Sequence, residues 1–178
     1  MTFTLPSDLA PEIYPLAWLV GDWSGPGVID YPNIPRTEAR ADVSFTHDGG
    51  PYLIYRATFT VVNEDGSDGA IWSSEQGYWR VSPETPADME LDEGQFPVEL
   101  LLADASGSIA LFIGAVGNGR IDLASDLMAR SSSAPDVGGA TRLYGHVNGE
   151  LMFAFDIAAF GQELQSYSSG RMSRVEES

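Results

Sequence analysis

Gly21-Asp22-Trp23-Ser24-Gly25-Pro26-Gly27-Val28-Ile29-Asp30-Tyr31-Pro32-Asn33-Ile34 sets glycines at 21, 25 and 27 around a single tryptophan. In an extended strand, residues two apart share a face. Gly21, Gly25 and Gly27 therefore strip one face of its side chains and leave Trp23 as the one bulky group on it. A stripped face lets another backbone approach and lets the strand bend. A bent first strand with one large anchor is what closing a sheet into a barrel requires.

The rest of the chain agrees with an all-β reading. Thr37 to Thr46 alternates and ends in the turn His47-Asp48-Gly49-Gly50-Pro51. Tyr52 to Val62 is rich in aromatic and β-branched residues, and Ala70 to Val81 follows a polar loop, Asn63 to Gly69. Further short strands are expected around Met89-Glu90-Leu91, Pro97 to Ala103, Ser108 to Val116 and Arg120 to Asp126. Met128 to Gly139 reads as a mobile loop. Asn148-Gly149 is a two-residue hairpin signal between Ala140 to Val147 and Glu150 to Ala158, and Leu164 to Val175 forms the last strand. Pro6 to Leu19 reads as one or two helical turns plugging one end. The expectation is an antiparallel up-and-down β-barrel of about ten strands with a short N-terminal helical segment, closed by pairing of the first and last strands. A β-sandwich is the alternative all-β layout.

At 178 residues the chain suits one domain, 1–178, with a core spanning 16–175. No apolar run reaches the ~20 residues of a membrane helix. The opening MTFTLPSDLAPEIY has no basic or apolar leader region, so a cytoplasmic protein is expected. The absence of cysteine excludes disulfides, thiolate metal sites and cysteine-ligated haem. The net charge is −17, and every basic residue is arginine. Nucleic acid and anionic membrane are therefore poor partners.

Several stretches resemble the nitrobindin family of small haem-binding barrels, related in shape to fatty-acid-binding proteins and lipocalins. The first is the G-x-W-x-G-x-G strand itself, Gly21, Trp23, Gly25 and Gly27. Phe45 to Leu53 is similar to the family's F-x-H-x-G-x-P-F-L turn, and Glu75-Gln76-Gly77-Tyr78-Trp79-Arg80 to its E-S-G-Y-x-R strand. Asp156 to Gln165 is similar to the hairpin before its last strand. The resemblance implies a haem barrel that acts on nitric oxide or isomerises peroxynitrite. It also implies an axial histidine on the last strand and a second histidine two residues before the E-S-G-Y glutamate. At these positions the chain has Tyr167 and Ser73. Trp72 stands where methionine is common, and Asn33 where the family's Y-P-T-I threonine stands.

Serine is no iron ligand, and haem without an axial bond retains only apolar burial and propionate contacts that an acidic protein disfavours. Tyrosinate ligates ferric haem when a cation lowers its pKa. Arg171, four residues beyond Tyr167, is expected on the same strand face as that cation. His47 sits in a turn and His146 at a strand end, and the two form no metal cluster. No nucleophile elbow appears, so no catalytic residue is assigned. The carboxylates Asp88, Glu90, Asp92 and Glu93 read as a solvated run.

The expected function is binding of a small hydrophobic or amphipathic ligand by a monomer or homodimer, with no metal and no cofactor. The candidate pocket residues are Asn33, Trp72, Ser73, Tyr167 and Arg171. The alternatives are a haem b protein isomerising peroxynitrite or binding nitric oxide, and a protein-interaction module using the acidic surface.

Overall fold

A computed structural model describes residues 6–176 of the chain. Residues 1–5, on which part of the leader reading rests, and 177–178 lie outside them. A 3-10 helix, Pro11–Leu19, leads into ten strands: β1 Gly21–Tyr31, β2 Ile34–Thr46, β3 Leu53–Val62, β4 Asp68–Val81, β5 Phe96–Asp104, β6 Ser108–Gly117, β7 Arg120–Arg130, β8 Val137–Val147, β9 Glu150–Ala159 and β10 Gln165–Arg174. Each strand pairs antiparallel with its sequence neighbour. β1 also pairs with β10, from Trp23 opposite Arg174 to Ile29 opposite Ser168, and closes the barrel. The sandwich alternative is thereby excluded. No helix among the described residues is long and apolar enough to cross a membrane.

Two expectations are corrected. Met89-Glu90-Leu91 is not a strand, since 82–95 is a connection folded on local turns such as Met89 N–H to Pro86 C=O. Two prolines and five carboxylates there leave too little apolar surface to pair. The segment Met128 to Gly139 is not one loose loop: β7 runs on to Arg130 and β8 begins at Val137. Arg130 binds Asp136 at 3.1 Å and draws the two strand ends together.

The glycine-stripped face of β1 points inward. Gly25 faces β10 so closely that a Cβ there would lie 2.1 Å from the Arg171 carbonyl oxygen. Gly21 adopts φ 126°, which side chains disfavour, and the Arg174 guanidinium occupies the space where its Cβ would stand. Arg174 then stacks 4.2 Å from the Trp23 ring centroid and donates to the Trp18 and Val20 carbonyls. Trp23 donates its own N–H to the Leu19 carbonyl at 2.8 Å. One tryptophan and one arginine thus tie the 3-10 helix to both closing strands. The helix buries Ile13, Leu16 and Leu19 into the barrel end beside Phe45, Leu53 and Trp79.

Gly25→Ala is expected to lower stability by about 1–3 kcal/mol through overpacking. Gly138→Ala, where the nearest atom to a new Cβ is 3.9 Å away, is expected to leave it within about 0.5 kcal/mol. Urea denaturation midpoints of the two variants check the difference.

Candidate functional site

The barrel is packed at the helix end and hollow at the other. The hollow is a cavity of about 570 Å³, within the range of small-molecule pockets. Its walls are Ile29, Phe59, Leu102, Phe112, Phe155 and Ile157, and its mouth carries Ile71, Trp72 and Phe160, which stand exposed.

The floor of the cavity is ionic. Arg142 on β8 reaches across the interior to Glu75 on β4, with β5, β6 and β7 between them, Nη1 lying 2.6 Å from Oε1 and Nη2 2.7 Å from Oε2. The Tyr55 hydroxyl donates to Glu75 Oε1 at 2.7 Å, and Arg142 Nη1 also donates to the Tyr144 hydroxyl at 3.4 Å. The guanidinium carbon lies 4.4 Å from the Phe155 ring centroid and 5.1 Å from that of Phe112. Burial pushes the Glu75 carboxyl up, but the Arg142 charge and the hydrogen bonds from Arg142 and Tyr55 outweigh it and hold the group below its ordinary value. Arginine is held well above its usual range, burial being outweighed chiefly by Glu75.

The pair was not among the residues selected from the sequence. A signal for it exists. Glu75 is in phase with Trp79, and Arg142 with Ala140 and Tyr144, all inward positions of their strands. A carboxylate and a guanidinium that share the inward phase of two strands need each other.

The mouth is crossed by a second contact. Trp72 Nε1 donates to the Tyr167 hydroxyl at 2.6 Å. These residues lie on β4 and β10, with β3, β2 and β1 between them. Each is the extra residue of a β-bulge: Phe59 pairs with Ser73 and Thr60 with Ile71, skipping Trp72, while Ser166 pairs with Asp156 and Ser168 with Phe155, skipping Tyr167. Bulges re-aim a side chain, and here they aim both at the cavity. Tyr31 packs edge-on to the Tyr167 ring at 6.0 Å, its hydroxyl fixed by the Ala159 N–H at 3.0 Å. Burial pushes the Tyr167 phenol up, the Trp72 N–H pulls it down, and the net direction is up.

Of the residues selected from the sequence, Trp72, Ser73 and Tyr167 line the cavity. Asn33 sits in the β1–β2 turn at φ 67° and is not part of the lining. Arg171 is on the outer face, 3.4 Å from Glu150. The expectation that it shares a face with Tyr167 fails because the bulge shifts the alternation, so that Ser168 and Met172 are buried inside and Arg171 points out. The cation near Tyr167 is Arg142. Neither histidine lines the cavity: His47 lies 3.9 Å from Asp8, and His146 stacks on Trp18 at the packed end. No group of acidic or histidine side chains suited to a metal occurs among the described residues.

Residues 12–174 match the THAP4-like, heme-binding beta-barrel domain family. The chain belongs to this family, the nitrobindins. It is 45% identical to a protein of Beutenbergia cavernae named ferric nitrobindin-like protein, over 98% of this chain and 100% of that one. It is 38% identical to a Clavibacter michiganensis protein named peroxynitrite isomerase, over 97% and 98% of the two chains. The crystal structure of Rv2717c from M. tuberculosis superposes with a TM-score of 0.77 at 30% identity, covering 94% of this chain and 99% of that one.

Arg142→Met leaves Glu75 buried without its partner and is expected to cost about 3–5 kcal/mol at pH 7. In the wild type the folded carboxyl is held below its unfolded value. Its stabilisation is present above the unfolded value of 4.5 and is lost as pH falls through the lower folded one. In the variant the same carboxyl is pushed up by burial, so acid favours its folded state. The stability gap between the two proteins therefore narrows as pH falls from 7 toward 3, which denaturant titrations at several pH values check.

Proposed function

We propose that this nitrobindin-family barrel binds a small apolar or amphipathic molecule in its cavity and does not hold haem through an axial histidine. The observation that supports the reading most directly is the Trp72–Tyr167 hydrogen bond. The family resemblance puts the iron ligand at Tyr167, yet its hydroxyl accepts the indole N–H from the opposite wall. A macrocycle seated on that oxygen requires the bond to break and Trp72 to leave the space facing it. The raised phenol works in the same direction, because iron takes the tyrosinate. The donor set present therefore does not fit the group that the family name implies.

The relatives named peroxynitrite isomerase favour one second reading, a ferric haem protein isomerising peroxynitrite through Tyr167 or open-site iron. One titration separates the two. Hemin added to the purified protein is expected to give no saturable one-to-one Soret shift, whereas Trp72→Ala combined with Tyr167→His creates one. A saturable shift in the wild type that disappears in Tyr167→Phe overturns the proposal.

A further inference from the structure

We propose that the cavity selects uncharged amphipathic molecules over carboxylates of the same chain length, with Glu75 as the residue that sets the choice. This rests on the cavity being a ligand site, as argued above. The inference comes from the charge balance of the lining, which contains one cation, Arg142, and two carboxylates, Glu75 and Asp104. The charge of the cation is already paired, in a bidentate contact with Glu75. Both terminal nitrogens are bonded to Glu75, Nη1 also to Tyr144, and Phe155 and Phe112 lie against the guanidinium. The paired side chains are only 10% and 6% exposed. A ligand carboxylate entering this space meets a guanidinium whose charge is already neutralised by Glu75, lies beside that carboxylate, and loses its hydration. Asp104 stands at the rim, and the chain as a whole carries −17, so the entry path repels anions as well.

An uncharged head group meets a different wall. Tyr167 accepts from Trp72, and its own O–H proton has no acceptor among the described residues. That proton is available to a ligand hydroxyl or carbonyl, with Ser73 and Ser168 nearby in the lining. The apolar tail then lies along Ile29, Phe59 and Ile157.

The test uses the full chain and the neutral dye N-phenyl-1-naphthylamine, whose fluorescence rises in an apolar site, displaced by 1-decanol or by decanoate at pH 8. In the wild type, decanol is expected to displace the dye at about tenfold lower concentration or less, a gap of about 1.4 kcal/mol. Glu75→Gln leaves Arg142 charged and uncompensated. It is expected to raise decanoate affinity about tenfold or more with decanol little changed. Asp104→Asn at the rim leaves the buried pair intact and is expected to raise decanoate affinity about two- to threefold, the effect of a partly screened charge. It decides the question where Glu75→Gln does not fold. Equal displacement by decanol and decanoate in the wild type, or unchanged decanoate affinity in the folded variants, overturns the selectivity while ligand binding stands. Failure of the dye and both competitors to bind overturns the ligand site itself.

Discussion

The bidentate contact between Glu75 and Arg142 divides this barrel into two halves with different physics. A closed sheet of ten strands encloses more space than strand side chains of ordinary size fill. On the helix side of the pair the space is taken by the 3-10 helix and by rings in contact, Trp79 edge-on to Tyr144 at 5.3 Å and Phe45 tilted against Tyr55 at 5.2 Å. On the other side no element among the described residues enters, and a cavity remains. Tyr55 and Tyr144 belong to both halves, since their rings pack toward the helix and their hydroxyls hydrogen-bond to the pair. Removing either charge would leave the other uncompensated in a low-dielectric interior, so each depends on its partner.

Much of the container was legible in the chain. The inward face of β1 follows from glycine spacing, the Asn148-Gly149 hairpin from turn chemistry, and the plug from prolines among apolar residues. These are local rules, satisfied by residues close in sequence. The site is less local. Glu75 and Arg142 are 67 residues apart and Trp72 and Tyr167 are 95 apart; strand phase marks Glu75 and Arg142 as inward, but nothing comparable marks Trp72 and Tyr167. Bulges made the difficulty worse. A strict two-residue alternation runs Tyr167 and Arg171 along one face, whereas one skipped residue at 167 reverses the phase of everything after it.

That reversal bears on how a family position is carried from one member to another. A match of residue type at one position of β10 conveys chemistry only if the bulge falls at the same place, because one residue of slip exchanges cavity for solvent. In this chain the bulge delivers a tyrosine whose oxygen is satisfied by the facing wall, and Trp72, delivered by a second bulge, is the group that satisfies it. The two bulges act on one another across the mouth through a single 2.6 Å contact. A substitution on β4 therefore changes what the β10 residue can bind, and a histidine at 167 alone would still face an indole. On the reading proposed above, ligand preference in this barrel is a property of opposed positions on strands that never pair, Trp72 with Tyr167 at the mouth and Glu75 with Arg142 at the floor.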